Sequence, residues 1–392
     1  MWKDSEGFNK LRIAVVGAGF SGLVFAYKLA SKGYDVDVYE EHKRVGFPPH
    51  CTGLVSMDTV ELIGRPAREN MLGTYNGVVL DIEGTKCTID TVNRVAKLNR
   101  EGLEEALLEE AEANGASIHL GARVSRIDSQ GLVEAGNDRR IYDLVILAEG
   151  IHGNLRGQIG LDHSLSTTYG LNAEISGQDQ SLLGDYILIG FERSLHGFSW
   201  KFGFLDRILV GALSKKAREV KEKIASMVNG DRPRRLYGGI VIHGPPLRRL
   251  RLGRVVLVGD AAGLNKPLTG GGLYPNAWLS VKLSEIDLAA GDFYEVDRAA
   301  DMLAGKLLRQ YRIARAYYGD TASGVILLKS AVEAGLCDVL SGRIDYDGHE
   351  RMISLVLSSP VRGLRILFSA LRHSRKEFYK FVLDFIGIKR GG

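Results

Sequence analysis

The chain has 392 residues, 45% of them hydrophobic and 25% charged, which is ordinary for a soluble globular protein and enough for two or three domains around a sizeable core. Glycine is abundant, at 48 residues, and proline scarce, at 9, which excludes a proline-rich disordered chain and suits an α/β protein with many tight turns. A net charge of +4 is too small to point to nucleic acid, and no nucleic-acid partner is expected.

The opening segment, MWKDSEGFNKLR, is polar and partly acidic, unlike a secretory signal. LRIAVVGAG then reads as a buried strand, FSGLVFAYKLASKG as a helix ended by Gly33, and DVDVYEE as a second strand. The run from Ile13 to Ala30 is apolar enough for a membrane span, but it contains a glycine fingerprint, so a strand and a packed helix are expected instead. Gly17, Gly19 and Gly22 form G-A-G-F-S-G between strand and helix. The first glycine permits the turn, the second lets backbone approach a pyrophosphate, and the third lets helix pack on strand. Phe20, Ser21 and the free amides of the helix start belong to the same phosphate site. Glu40, 18 residues after Gly22, closes the second strand where a carboxylate would accept hydrogen bonds from an adenosine ribose, with Glu41 beside it.

Next comes a Gly/Pro-rich loop, VGFPPHCTGLVS, carrying His50 and Cys51. Alone, a single cysteine reads either as a small buried hydrophobe or as a site group, and His50 points away from its neighbour in an extended loop. After a mixed region, REGLEEALLEEAEAN predicts a strong helix opened by Arg100 and stopped by Gly115. ASIHLGARV, which includes Val124, and YDLVILAEG, ending at Glu149 and Gly150, return to the nucleotide-binding sheet.

From about 164 to 243, DYILIGFE, GFSWKFGF and ILVGAL alternate with turns and predict an antiparallel sheet. Phe198, Trp200, Phe202 and Phe204 recur at strand spacing and share one face, either core packing or the wall of an apolar tunnel. RVVLVGDAAG is a further buried strand ending at Gly259 and Asp260. NKPLTGGGLY then sets Gly270, Gly271 and Gly272 before a helix opening at Leu273 and Tyr274. Such a loop offers amides and a helix dipole to a negatively charged reduced flavin. The remainder is helical. Its end repeats apolar residues at three- and four-residue spacing, with eight Lys/Arg against two acids after residue 359, which reads either as a packed pair with a solvated basic face or as a surface for anionic lipid.

Cys51, Cys87 and Cys337 are odd in number and widely spaced with no CxxC pair, so neither a metal site nor a disulfide framework is expected, and a reduced cytoplasmic setting follows. No second glycine fingerprint follows a strand, so reducing equivalents would come from a transiently bound NAD(P)H or a ferredoxin-like carrier protein.

In order, G-A-G-F-S-G, Glu40, Arg100, AEG, GDAAG and PLTGGGLY resemble the geranylgeranyl reductase family of FAD proteins, over roughly residues 11 to 290. The resemblance implies the para-hydroxybenzoate hydroxylase fold, with Asp260 on the ribityl chain or its phosphate linkage and Arg100 near the phosphates. It also implies a cysteine beside the flavin, which Cys51, Gly53 and Ser56 match. The family's YxWxFP segment departs here, with Phe198 for tyrosine and Gly203 for proline. The expected architecture is α/β: a discontinuous Rossmann-type FAD domain (1–56, 95–163, 245–290), an inserted antiparallel substrate domain (57–94, 164–244) and a C-terminal helical region (291–392). The implied activity is reduction of isoprenoid double bonds in a prenyl lipid or diphosphate, with Cys51 catalytic and His50, Phe198, Trp200, Phe202 and Tyr274 against substrate. The protein would then work in the cytoplasm or at the inner face of the membrane. The alternatives are a flavin monooxygenase or halogenase acting on an aromatic or quinone-like substrate, though the WxWxIP halogenase segment is not found, and a non-enzymatic flavin carrier.

Overall fold

The computed structural model describes residues 11–386 except 49, 163, 178–183, 289–290, 292 and 374, so most of the polar opening segment and the terminal Lys389 and Arg390 lie outside the described residues. Strands β1 (Arg12–Val16) and β2 (Asp35–Glu40) run parallel on either side of helix α1 (Phe20–Ala30), with Val15 opposite Val38. Both strands read as apolar runs because helices cover the sheet. After β3 (Leu54–Ser56), Ser56 caps α2 (Met57–Ile63) by accepting the Thr59 N–H, and α3 (Arg65–Glu69) follows. Strands β4 (Met71–Ile82) and β5 (Thr85–Leu98) form a long hairpin, turning at Glu83 and Gly84, both at positive φ.

Helix α4 (Arg100–Ala113) matches the expected span, and β6 (Ser117–Leu120) returns beside β2. A small antiparallel sheet, β7 (Val124–Ile127), β8 (Leu132–Ala135) and β9 (Asp138–Ile141), precedes β10 (Leu144–Leu147) and the short α5 (Leu155–Gln158). Then come β11 (Thr167–Ser176), β12 (Tyr186–Phe191), β13 (Gly197–Phe204), β14 (Arg207–Ser214), α6 (Ala217–Val228) and β15 (Arg235–Ile242). Strands β16 (Arg251–Leu252) and β17 (Val255–Leu257) lead to α7 (Leu273–Glu285) and α8 (Tyr294–Gly319). The chain ends in α9 (Thr321–Glu333), α10 (Leu336–Leu340), α11 (Met352–Leu357), α12 (Pro360–His373) and α13 (Arg375–Ile386).

Two sheets organise these elements. The first has six strands in the order β16-β17-β10-β1-β2-β6, parallel except for β16. The second has eight, β15-β11-β14-β13-β12-β4-β5-β3, and is antiparallel except where β12 meets β4. That junction joins two separate stretches of chain, so no hairpin dictates its direction. One core lies around the first sheet with α1, α4, α7 and α8. A second lies between the larger sheet and helices α8 to α10.

One expectation is corrected. Cys87 on β5 and Cys337 on α10 form a disulfide, with Cα atoms 6.3 Å apart and 250 residues between them. Sequence spacing hid the pair because only the packing of α10 on β5 brings the two together. The reduced setting inferred from the cysteine count therefore lacks its premise.

Candidate cofactor site

The turn between β1 and α1 needs its glycines for three distinct reasons. Gly17 sits at φ 99, and a side chain there would meet the Ala148 carbonyl oxygen at 2.4 Å. A side chain at Gly22 would fall 1.8 Å from the Gly17 carbonyl oxygen, so this glycine sets the helix-to-strand distance. At Gly19 a side chain would meet nothing within 4 Å. That open position, at the N-terminus of α1, is where an approaching pyrophosphate requires a bare backbone. Buried Phe20 and half-buried Ser21 begin the helix.

Glu40 is buried at the end of β2, where one oxygen accepts the Ala18 N–H (2.7 Å) and the other accepts His42 donors. Its carboxylate is thereby fixed beside the turn. Glu41 is exposed and lies 3.6 Å from Arg123, whereas Val124 is buried in the same core as Val38 and Tyr39. Neither side chain shows a contact that singles it out for a nucleotide. Glu149 accepts the Leu155 and Arg156 N–H groups and pairs with the Arg156 guanidinium. Its carboxylate is thus committed to starting α5, which leaves the backbone at Glu149 and Gly150 for any ligand contact.

The other half of the site gathers around Arg100 and Cys51. Arg100, at the start of α4, pairs with Glu104, is close enough to Cys51 to interact with it electrostatically, and lies over the Phe20 ring at 5.4 Å. Its Nε is buried without a hydrogen-bond partner. Cys51 is half-buried, and its sulfur accepts the Gly53 N–H at 3.4 Å. Lys97, from the end of β5, is almost wholly buried; burial pushes its amine down to about 8, although Cys51 and Glu174 favour the charged form. Cys51 in turn adds to the raising of the Tyr237 and Tyr346 phenols, so two cations and two phenols lie within its electrostatic reach. His50 is near enough to feel Glu104, Arg100 and Asp260, and partial burial pushes its imidazole below the ordinary value.

Gly259 sits at φ 65, where a side chain would crowd the Ser21 hydroxyl at 2.7 Å, and its N–H is held by Asn276. Burial raises the Asp260 carboxyl above its usual range, while Asn265, His50, Arg100 and His152 pull the other way. Asn265 donates to Asp260 at 3.0 Å. The Asn265 Oδ1 and the Thr269 hydroxyl are buried without partners, as is Arg100 Nε. These three unsatisfied atoms and the bare backbone at Gly19 fit a polar ligand running from the α1 turn past Asp260 to the glycine loop, as FAD would.

The loop from Lys266 to Gly272 is tied down on three sides. Lys266 pairs with Asp347 at 2.5 Å and lies over the Tyr346 ring. His243 bridges the Thr168 hydroxyl and the Pro267 carbonyl, and the Tyr318 hydroxyl donates to the Leu268 carbonyl. Within the loop the Gly270 N–H donates to the Lys266 carbonyl. Gly270 has φ 74, and a side chain there would strike Val241 at 2.0 Å; one at Gly271 would strike the Lys266 stem, and one at Gly272 would press on Asn265. Leu273 is buried at the start of α7. Burial and the acidic groups Glu350, Asp347 and Asp345 push the Tyr274 phenol up to about 12. Residues Lys97, His243, Asp347 and Tyr346 were not found from sequence, since no local spacing links them to the motifs.

The aromatic strand shares one face as expected, and its rings fill a core. Trp200 donates to Asn172 and lies so close to Gly211 that a side chain there would overlap its ring. Phe202 meets Tyr75 edge-on at 5.5 Å, and Phe198 packs on Phe191. A groove of about 710 Å³ lies on the α6 side of the sheet instead, lined by Phe47, Leu171, Val220, Leu236 and Ile240.

Comparison with known proteins agrees with this geometry. Residues 15–50 match the model of the NAD(P)-binding Rossmann-like domain. Digeranylgeranylglycerophospholipid reductase 1 of Methanococcoides burtonii is 26% identical over 200 residues, 47% of each chain, so the match spans about half the length of that relative. A geranylgeranyl bacteriochlorophyll reductase-like protein from Thermoplasma acidophilum superposes with a TM-score of 0.71 at 17% identity, over 96% of this chain and 100% of the other. A triple mutant of the flavin-dependent brominase Bmp2 superposes with a TM-score of 0.66 at 12% identity, over 93% and 99%. The architecture is therefore that of flavin-dependent oxidoreductases, geranylgeranyl reductase-like in fold. Among the described residues no helix is long and apolar enough to cross a membrane.

Proposed function

We propose that this geranylgeranyl reductase-like flavoprotein reduces isoprenoid C=C bonds of a prenyl lipid or prenyl diphosphate. The supporting observation is the setting of Cys51: a thiol whose sulfur accepts the Gly53 N–H and which lies within electrostatic reach of Arg100, Lys97, Tyr237 and Tyr346. The partial match to an archaeal lipid reductase points to the same substrate class. The Gly17–Gly22 turn, Glu40, Arg100, Asp260 and the 265–272 loop would hold FAD, which when bound and reduced would supply a hydride. One C=C bond then gains that hydride and one proton. Cys51 donates the proton and is restored from solvent through the polar groups around it. An isoprenoid chain has no carbonyl to polarise, so the protein acts by positioning and by excluding water. Apolar burial contributes about 0.8 kcal/mol per methylene to holding the chain.

Reducing equivalents come from NAD(P)H or a ferredoxin-like carrier. The test is anaerobic incubation of dithionite-reduced protein with geranylgeranyl diphosphate or a digeranylgeranyl lipid, followed by mass spectrometry. A gain of two mass units per saturated bond is expected. Because the fold is shared with a brominase, a reduced flavin that consumes oxygen and hydroxylates or halogenates an aromatic or quinone-like substrate, without any mass gain in the prenyl chain, would replace this reading.

A further inference from the structure

We infer that helix α12 is a membrane-docking element that lies in the surface of an anionic bilayer. The inference rests on the proposed lipid substrate only for the choice of partner; the surface itself is read from the helix. Val361, Leu364 and Phe368 are 75%, 53% and 65% exposed, and their spacing puts them on one stripe of α12. The helix packs inward by another side, where Ile366 is buried and the Ser369 hydroxyl donates to the Ser330 carbonyl of α9. The stripe is therefore not the side by which the helix joins the fold. Arg365 is exposed next to it, and Arg375, Lys376 and Tyr379 are exposed on the first turns of α13.

Charge separates a lipid surface from a generic apolar partner. Helix α12 contains no Asp or Glu. From Pro360 to the C-terminus eight Lys/Arg face two acids, a surplus of six, which exceeds the +4 of the whole chain, so the rest of the molecule is net negative. Positive charge is thus concentrated at the segment that exposes apolar side chains. An exposed apolar stripe flanked by Arg and Lys fits the boundary between acyl chains and anionic headgroups, with the cations at headgroup level.

The test uses the full chain and sedimentation with vesicles of phosphatidylcholine alone or mixed equally with phosphatidylglycerol. Binding is expected to the anionic vesicles and to weaken as salt is raised. The double variant Leu364→Glu/Phe368→Glu should lose at least about tenfold in vesicle affinity while keeping its circular dichroism and its FAD spectrum. Because both positions are exposed, Leu364→Ser/Phe368→Ser serves if the charged pair disturbs folding. No binding to anionic vesicles at low salt, equal binding to neutral ones, or binding that both double variants retain would overturn the inference. The substrate reading fails separately, as absence of a mass gain with detergent-dispersed substrate, and that result leaves the vesicle measurement intact.

Discussion

Asp347 reaches across 81 residues to pair with Lys266 of the glycine loop, and the two side chains are 1% and 3% exposed. The other Asp347 oxygen accepts the Ser56 N–H at 2.8 Å and the Thr59 hydroxyl at 2.6 Å. One carboxylate from the C-terminal region therefore holds both the glycine loop and the end of the Cys51 segment. Burial alone would raise this carboxyl, but Lys266 and the hydrogen bonds hold it below the usual range.

Removing the charge from one partner should be costly. Asp347→Asn leaves the Lys266 ammonium buried without a counter-charge, an expected loss of about 3–5 kcal/mol in urea unfolding. Lys266→Met/Asp347→Asn, which removes both charges and keeps an acceptor oxygen for the Ser56 N–H and the Thr59 hydroxyl, should recover most of that loss. A single variant costing under about 1 kcal/mol would mean that the pair is solvated in solution.

His243 predicts a pH dependence. Burial pushes its imidazole down to about 4, and in the neutral form Nδ1–H donates to the Pro267 carbonyl while Nε2 accepts from Thr168. The unfolded chain binds this proton near pH 6.5 and the folded chain near 4. Stability should therefore fall as pH drops from about 6.5 to 4, by as much as ~3 kcal/mol from this group. His243→Gln should flatten that part of the profile, measured by thermal unfolding across the interval; an unchanged slope would assign it to other groups, His349 among them.

The two helix-start glycines should fail differently. At Gly19 the φ of −74° suits any residue and no neighbour lies in the way, so Gly19→Val should give folded protein that lacks the flavin absorbance. At Gly22 the added carbon meets the Gly17 carbonyl at 1.8 Å, so Gly22→Val should not accumulate as folded protein. Flavin retained at full occupancy in Gly19→Val would move the phosphate site elsewhere.

What could be read from sequence was local. The Gly17–Gly22 turn, Glu40, the start of α4 at Arg100 and the glycine loop before Leu273 all lie where strand, turn and helix signals put them. The closures from a distance were not legible. Asp347 on Lys266, His243 on Pro267 and Tyr318 on Leu268 join segments that only packing brings together. Trp200 and Phe202 show the limit of periodicity: alternation gave the shared face, but whether rings line a tunnel or fill a core depends on Tyr75 and Asn172 opposite them.

The Cys87–Cys337 disulfide closes a loop of 250 residues and fastens α10 to β5. Reduction should lower the unfolding free energy by about 2–5 kcal/mol, and Cys87→Ala/Cys337→Ala should unfold alike with and without reductant. The measurement is thermal unfolding of the wild-type chain with and without dithiothreitol. Identical curves would show that the bond contributes nothing to the folded state.

Cys51 offers the sharpest test of the site, because it is the one cysteine left outside the disulfide. Its sulfur accepts the Gly53 N–H and lies within electrostatic reach of Arg100. Gly53 has φ 72, and a side chain there would meet the Leu98 carbonyl at 2.5 Å, so the backbone turn that presents the thiol is itself constrained. Replacing the side chain by a methyl group removes one weak hydrogen bond, from the Gly53 N–H at 3.4 Å, and leaves the backbone turn in place. Cys51→Ala should keep FAD and fold normally, yet reduce the prenyl mass gain per unit time at least about tenfold, the scale of losing a positioned proton donor. Cys51→Ser keeps a hydroxyl at the same place and should fall between the two. In non-reducing buffer, iodoacetamide should label Cys51 alone and bring wild-type turnover down to the alanine value. Full turnover in Cys51→Ala, with FAD intact, would reduce the thiol to packing and move the proton source to another group near the flavin loop.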